Sequence, residues 1–238
     1  MKVLYSFLFL ALLHYPSVAQ KIIEANYSLI LSENKESKLD KMLIESMGDF
    51  RKVAREMEFT LIFAKEKSYF AVKEKLYTQE SLAEIALLRA NYNGRTIQEK
   101  MYSYTEYDSE LYPQKVILKK EIPTWKLSSE KKSVSGFECY KAHTTYTVIN
   151  SAGTFNNIVE AWYCPEINFS FGPLGYGGLP GLIFELKIKD AVYGLTNLDF
   201  NPITKEAPNL KKYAIVSQKE LDQKAIEAYE NFIEEKKN

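Results

Sequence analysis

The sequence is poor in the residues that build metal and redox sites. Its 238 residues include only two cysteines and two histidines. One histidine, His14, lies in an apolar N-terminal segment, so the remainder of the chain has only His143. Zinc sites take three or four Cys, His or carboxylate ligands, often in closely spaced pairs, and the sequence has no such cluster. We therefore expect neither a metal ion nor another cofactor.

The sequence also lacks an excess of charge of either sign. Lysine and arginine together number 31, as do aspartate and glutamate, and the two sets are interleaved. This pattern argues against a nucleic-acid surface. Beyond the N-terminal segment, no run approaches the roughly 20 apolar residues that a transmembrane helix needs. The sequence therefore predicts no transmembrane segment in the mature chain.

The N-terminal segment is typical of a signal peptide. Met1 and Lys2 precede the apolar run Val3–Leu13 and the small-residue site Ser17-Val18-Ala19. Such a run is too short to span a membrane, and the site suits a signal peptidase. We predict that residues 1–19 are removed and that residues 20–238 form one exported domain, in the periplasm or outside the cell. No cysteine follows the site, so no lipid anchor is expected.

Glycine is scarce except in one loop. The chain has ten glycines, and five of them lie within Gly172–Gly181, together with Pro173 and Pro180. Glycine permits positive φ and close backbone approach, whereas proline fixes φ, so this loop is built to hold one unusual path. A phosphate-binding loop is excluded, because a strand follows and neither Lys nor Arg lies between Phe171 and Leu186. A nucleophile elbow is excluded because no serine stands between the glycines.

Two interpretations of this loop remain open. It packs apolar residues against a sheet edge, or it covers a binding cleft. Pro180 and Gly181 suit a type II turn over Leu179–Leu182, with positive φ at Gly181. For the second interpretation, the candidate residues that contact a ligand or partner are Gly172, Pro173, Gly178, Leu179, Pro180, Gly181 and Leu182.

The rest of the chain predicts an α+β domain. Ile22–Leu31 alternates as a strand, Ser37–Met57 and Thr78–Asn93 have helical periodicity, and Ser217–Glu235 opens with a capping box. From Ile97 onward strands follow one another. We expect a strongly curved, largely antiparallel sheet resembling a half-barrel, with two or three covering helices. Further strands are predicted at Phe59–Phe63, Tyr69–Val72, Ile97–Thr105, Lys115–Glu121, Trp125–Lys131, Phe137–Ile149, Phe155–Cys164, Leu182–Lys189, Val192–Phe200 and Lys212–Val216.

The hairpin Phe137–Cys164 brings several polar side chains together. A turn at Ser151-Ala152 places Cys139 opposite Cys164 and His143 opposite Glu160. Directly opposed residues have Cβ atoms about 4.5–5.5 Å apart, close to the span of a disulfide. We consider a Cys139–Cys164 disulfide and a pair of buried free thiols as alternatives. His143 with Glu160 is either a structural cross-strand pair or an acid–base pair, and Lys141 opposite Trp162 suggests a cation–π contact.

Several motifs in the later half of the chain resemble the GLPGLI family of exported proteins of diderm bacteria. The matching segments are Gly136–Ala142, Ala161–Tyr163, Pro165–Ile167, Gly172-Pro173 and the hexapeptide Gly178–Ile183. The resemblance implies a secreted, β-rich protein. The family has no established activity, so no catalytic residue can be transferred to this chain. Cys139 matches a cysteine of the family, whereas Cys164 stands where other residues are common.

These observations favour a non-enzymatic binding role in the cell envelope. The ligand would be an apolar molecule, a peptide or an outer-membrane protein, held in a cleft beneath the Gly172–Gly181 loop. One alternative is a hydrolase-type enzyme that uses His143 and Glu160. A structural envelope protein without a small ligand is another.

Overall fold

The computed structural model describes residues 21–33, 37–150, 153–204 and 208–236. The predicted signal peptide lies outside the described residues. The strands are β1 (Ile23–Leu31), β2 (Glu58–Phe63), β3 (Lys67–Val72), β4 (Thr96–Glu99), β5 (Tyr102–Tyr107), β6 (Val116–Glu121), β7 (Lys126–Val134), β8 (Phe137–Asn150), β9 (Gly153–Cys164), β10 (Leu182–Ile188), β11 (Ala191–Asp199) and β12 (Ile215–Ser217). The helices are α1 (Lys38–Met47), α2 (Phe50–Arg55), α3 (Glu80–Arg89) and α4 (Gln218–Glu235).

In the described ranges, the strands form one mixed sheet of twelve strands in the order β12-β6-β5-β4-β3-β2-β1-β11-β10-β9-β8-β7. Strand β12 pairs with β6 in parallel, whereas the other neighbours are antiparallel. The expected largely antiparallel sheet is thus confirmed, and the described residues contain four helices where two or three were expected. Strand β1 lies inside the sheet, between β2 and β11.

Strand β1 shows how the sequence pattern builds the core. Its residues at odd-numbered positions, from Ile23 to Leu31, are buried, while those between them are more exposed. This is the face that the alternation predicts, because successive side chains of a strand point to opposite sides. Tyr27 is completely buried, and its hydroxyl donates a 2.7 Å hydrogen bond to the carbonyl oxygen of Ile183 in β10. The buried hydroxyl is therefore satisfied.

The N-terminal helical pattern is divided in two by a glycine. The expected single helix over Ser37–Met57 is wrong, since α1 ends at Met47 and α2 begins at Phe50. Gly48 adopts φ +113°, which interrupts the helix, and the side chain of Asp49 caps α2 by accepting from the backbone N–H of Arg51.

The remaining helices lie close to their predicted positions. Helix α3 ends at Arg89 rather than at the expected Asn93, because Asn91 adopts the left-handed conformation after it, with φ +57°. Helix α4 has the predicted capping box between Ser217 and Glu220, and its Leu221 is buried. Further along α4, Tyr229 and Phe232 are exposed, so only the first turns of this helix cover the sheet.

The β8–β9 hairpin has the predicted register, with Asn150 opposite Gly153 and Tyr140 opposite Tyr163. The predicted disulfide is wrong: Cys139 and Cys164 are buried free thiols. The opposed positions of a regular strand pair are wider apart than the Cβ–Cβ span of about 3.5–4.5 Å that a disulfide requires. Burial, and secondarily the neighbouring Cys164, raises the pKa of Cys139 to about 12.

Candidate ligand-binding cavities beside the glycine loop

The Gly172–Gly181 loop, hereafter the glycine loop, packs against strands β3, β4 and β5. It contains a short 3₁₀ turn at Pro173–Gly175, within which Leu174 has φ +58° and Gly175 has φ +75°. A Cβ atom on Gly175 would stand 2.7 Å from side-chain carbons of both Thr96 and Ser103. Glycine is therefore required here by its φ and by the close approach of the two strands.

Two side chains donate hydrogen bonds to backbone carbonyl oxygens, one within the glycine loop and one just before it. The amide nitrogen Nε2 of Gln98 in β4 donates to the carbonyl oxygen of Ser170 at 3.0 Å. The indole Nε1–H of Trp125 donates to the carbonyl oxygen of Gly177 at 2.7 Å. The Trp125 ring also packs edge-on against Tyr176, with centroids 6.1 Å apart. These contacts hold the middle of the loop in place.

The hexapeptide Gly178–Ile183 is largely part of the core. Leu179 is 1% exposed, and Leu182 and Ile183 are completely buried, whereas Pro180 faces outward. This supports the interpretation that the loop packs apolar residues against the sheet. Leu179 and Pro180 nevertheless border a cavity, so the loop also forms part of a cavity wall.

The turn at the hexapeptide is tighter than predicted. The N–H of Gly181 donates to the carbonyl oxygen of Leu179 at 2.8 Å, while the N–H of Leu182 donates to Ile167 at 2.9 Å. A type II turn would instead pair Leu182 with Leu179, so the structure has a three-residue γ-type turn centred on Pro180. Positive φ at Gly181 is confirmed, at +154°. A Cβ atom there would lie 2.2 Å from the carbonyl oxygen of Cys164.

One cavity, which we call the loop cavity, has a volume of about 760 Å³ and is bordered by the C-terminal part of the glycine loop. Its apolar lining comes from the loop, from strand ends and from the connection between β6 and β7. These residues are Met101, Ile122, Pro123, Trp125, Leu127, Phe171, Leu179 and Pro180. Charged side chains of Lys65, Glu66 and Lys100 also border it. The loop cavity thus combines an apolar wall with a charged margin.

A second cavity, which we call the Lys120 cavity, has a volume of about 440 Å³ and lies beside Leu174–Tyr176. Its wall brings together strands that are far apart in the sheet order, because Lys120 belongs to β6 and Tyr146 to β8. Residues Ile122, Pro123 and Thr124 border both cavities. The connection between β6 and β7 therefore lies between the two sites.

The His143–Glu160 pair is found where the sequence places it, but its surroundings are those of a surface ion network. The Glu160 carboxylate lies 3.0 Å from the Lys141 ammonium and 3.8 Å from Lys187. The hydrogen bond from Lys141 is the main reason that the pKa of Glu160 is lowered. His143 is exposed, and no hydroxyl within the described part of the chain hydrogen-bonds to it.

The predicted cation–π contact at Trp162 is present in the same network. The Lys141 ammonium lies 5.9 Å from the centre of the Trp162 ring, and the Lys132 ammonium lies closer, at 4.5 Å. Lys132 also pairs with Glu185 at 2.8 Å. These contacts stabilise the outer surface of β8, β9 and β10.

Within the described residues, no group of three or more Cys, His, Asp and Glu side chains is arranged to hold a metal ion. Among the helices of that part of the chain, none is both long and apolar enough to cross a membrane.

The Lys120 cavity and the anchor Trp125 were not identified as site residues from the sequence. A signal for Lys120 exists, since strand alternation places it on the same side of β6 as the buried Leu118. A charged residue that the strand alternation places on the same face as buried apolar residues is a candidate to line a cavity. No comparable local signal identifies Trp125, whose partner lies 52 residues away in the chain.

The fold and the site together define a β-rich α+β protein with ligand-sized cavities beside a glycine loop. Residues 152–185 match a family model described as "Protein of unknown function (Porph_ging)". The matched segment comprises all of β9, the glycine loop and the start of β10. The matched segment also contains the hexapeptide Gly178–Ile183, one of the segments that carry the GLPGLI resemblance. The match is consistent with a family of unknown function.

Comparison with curated proteins gives no match. Among solved structures, the chain is similar to "Structure of PNGF-II in P21 space group", with a TM-score of 0.48 and 14% identity over 86% of this chain. A second structure, "Structure of PNGF-II in C2 space group", has the same TM-score, identity and coverage of this chain. The chain spans about a third of the length of these proteins, 33% and 32% respectively.

Proposed function

We propose that the protein is a non-enzymatic binding protein that holds an apolar small molecule in the loop cavity. The observation that carries this proposal is the cavity itself, whose volume is about 760 Å³ and whose wall is mainly apolar. Pockets for small organic ligands have volumes of about 300–1,000 Å³ and are lined mainly by apolar and aromatic side chains.

Two exposed side chains at the loop cavity support this function. Met101 is 66% exposed and Leu127 is 59% exposed, although both border the cavity. An apolar ligand would remove these side chains from water, which is favourable at roughly 25 cal/mol per Å² of apolar area. Lys65 and Lys100 at the margin would meet a polar end of the same ligand.

We also propose that this binding takes place outside the cytoplasm, in the periplasm or beyond. The apolar run Val3–Leu13 followed by Ser17-Val18-Ala19 supports export. We further propose that the sheet is strongly curved around its cavities. Strands β6 and β8 are far apart in the sheet order and yet line the same Lys120 cavity, which supports a strong curvature.

The loop cavity can be tested with an uncharged fluorescent probe, N-phenyl-1-naphthylamine. The chain has two tryptophans, so the Trp162→Phe variant keeps Trp125, at the cavity wall, as the only reporter. We expect saturable energy transfer from Trp125 to the bound probe. Leu127→Glu should weaken binding at least about tenfold, because it places a charge on the apolar wall.

Ile158→Glu is the matched control, because Ile158 is 63% exposed on β9 and lies outside the loop cavity. It should leave probe binding unchanged. Absence of saturable binding, or equal loss in both variants, would contradict the proposal. Native mass spectrometry of protein isolated from its own envelope, before and after organic extraction, then identifies the bound molecule. Co-isolation with a membrane protein alone would instead favour a protein partner.

A further inference from the structure

Lys120 is the positively charged residue among those that line the Lys120 cavity. It pairs in register with the buried Ser103, and Leu118 on the same side of β6 pairs with Thr105. All four residues line the Lys120 cavity. The Lys120 side chain is accessible to water within this cavity and yet surrounded by protein atoms, as expected for a group on a cavity wall.

The protein provides little compensation for this charge. In the described ranges no carboxylate lies within ion-pairing distance of the Lys120 ammonium, and no hydrogen bond to it is formed. Burial lowers the pKa of Lys120, and the more distant Asp222 on α4 acts in the opposite direction. The other titratable groups at this cavity are Glu121, Tyr146 and Tyr176. An ammonium on a cavity wall that lacks a close partner gains from an anion placed beside it.

The wall around Lys120 is rich in groups that recognise hydroxyls. The side-chain oxygens of Thr96 and Thr105 lie 3.0 Å apart, and Ser103 lies beside them. Side-chain amides and further hydroxyls complete the polar lining, at Asn91, Asn93, Thr124 and Thr145. Such groups both donate and accept hydrogen bonds, so they suit a ligand that carries several hydroxyl groups.

We propose that the Lys120 cavity is a second binding site, which takes a small hydroxylated monocarboxylate such as a sugar acid. The carboxylate would pair with the Lys120 ammonium, and the hydroxyls would bond to the Thr, Ser and Asn side chains. The volume of about 440 Å³ suits one sugar-sized ligand. A dianion is disfavoured, because Glu121 and Asp222 already contribute negative charge near the site.

The probe for this site is D-glucuronate, with D-glucose as its uncharged counterpart, both titrated calorimetrically into the full exported chain. We expect saturable binding of glucuronate and at least about tenfold weaker binding of glucose, because the charge-assisted contact is missing. Lys120→Met should weaken glucuronate binding by at least about the same factor. It should not lower the unfolding temperature, since no ion pair or hydrogen bond of Lys120 is lost.

Lys119→Met is the matched control, because it makes the same change in charge at the adjacent residue, whose ammonium lies 3.8 Å from the Tyr102 ring rather than in the cavity. It should leave glucuronate binding unchanged. Bound glucuronate should also raise the pKa of Lys120, measured from its Cε chemical shift in ¹³C-labelled protein. Equal binding of glucose, equal effects of the two lysine variants, or no saturable glucuronate binding would overturn the proposal. Each result is independent of probe binding in the loop cavity.

Discussion

The indole N–H of Trp125 donates a 2.7 Å hydrogen bond to the carbonyl oxygen of Gly177. This bond joins the connection between β6 and β7 to the middle of the glycine loop, at the place where the loop cavity and the Lys120 cavity meet. One contact between segments that are distant in sequence thus lies at the border of both candidate sites.

Replacing Trp125 by Phe should destabilise the protein by about 1–3 kcal/mol, because the carbonyl of Gly177 loses its donor. Trp162→Phe is the control, since it makes the same change at a ring that keeps its lysine neighbours Lys132 and Lys141. The loss in free energy of unfolding caused by Trp162→Phe should be smaller by about 1 kcal/mol or more. Urea denaturation of the two variants measures the difference. Equal losses would show that ring area, rather than the hydrogen bond, stabilises the loop.

Gly181→Ala should be strongly destabilising. The new Cβ would lie 2.2 Å from the backbone carbonyl oxygen of Cys164, which cannot rotate away. Gly136→Ala is the control, because Gly136 also has positive φ, +86°, but no atom lies within 4 Å of the added carbon. The Gly136 variant should lose about 1–2 kcal/mol from backbone strain, and the Gly181 variant should lose more.

Gly175→Ala should fall between these two variants, because its Cβ would meet side chains of Thr96 and Ser103 that can shift slightly. Both loop glycines are therefore constrained. The three free energies of unfolding, measured by denaturant titration, give the order. Equal stability of the Gly136 and Gly181 variants would contradict the close approach at Cys164.

Leu179→Ala should cost about 2–5 kcal/mol, as expected for a fully buried leucine. Pro180→Ala changes the neighbouring exposed residue and should alter stability by less than about 1 kcal/mol. Thermal unfolding followed by circular dichroism distinguishes them. A small effect of Leu179→Ala would mean that the hexapeptide is a mobile cover rather than part of the core.

The cysteines should not react in the folded protein. Burial raises the pKa of Cys139 to about 12, so the reactive thiolate is rare at neutral pH, and both thiols are enclosed. Iodoacetamide without reductant should leave the folded chain unlabelled and should label both cysteines after unfolding. Mass spectrometry counts the labels. An unfolded chain without labels would show that the two sulfurs are bonded after all.

The surface ion network should contribute to stability in a pH-dependent way. Lys141 lowers the pKa of Glu160 below its ordinary value of 4.5. A carboxyl group with a lowered folded-state pKa stabilises the protein above its ordinary pKa, and this contribution is lost as the pH falls through the folded-state value. Glu160→Gln should therefore cost a few tenths of a kcal/mol to about 1 kcal/mol at neutral pH. The difference should shrink at an acidic pH below the folded-state pKa of Glu160.

Denaturant titrations at the two pH values provide the measurement for Glu160. The same substitution in a Lys141→Met background is the control, because the main partner is then missing. A pH-independent difference, or one that persists without Lys141, would show that the carboxylate does not act through this ion pair.

Local patterns predicted local structure well. The alternation from Ile23 to Leu31 identified both β1 and its buried face, because a half-buried strand carries that signal in every second residue. The register of the β8–β9 hairpin followed from its short turn. Gly48 could be recognised as a weak point of a helix, but whether a glycine bends, caps or merely weakens a helix depends on tertiary packing.

Long-range structure could not be predicted in the same way. Nothing in the local sequence of β1 indicates that one of its neighbours is β11, about 166 residues later at the Ser28–Gly194 contact. For the same reason the Lys120 cavity was missed: alternation shows which side of β6 carries Lys120, but not that β8 closes the space in front of it. The glycine loop was recognised as special from composition alone, whereas its partners Gln98 and Trp125 depend on this long-range arrangement.

The interior position of β1 has a consequence for synthesis. When residues 1–100 have emerged from the ribosome, β1 can pair with β2 but its other edge is open, because β11 is made only at Ala191–Asp199. The unpaired backbone groups of an open strand edge can form hydrogen bonds with other chains, which leads to aggregation. Most of the polypeptide must therefore be synthesised before β1 can pair on both sides. A partner that keeps the nascent chain extended until then would protect it from aggregation.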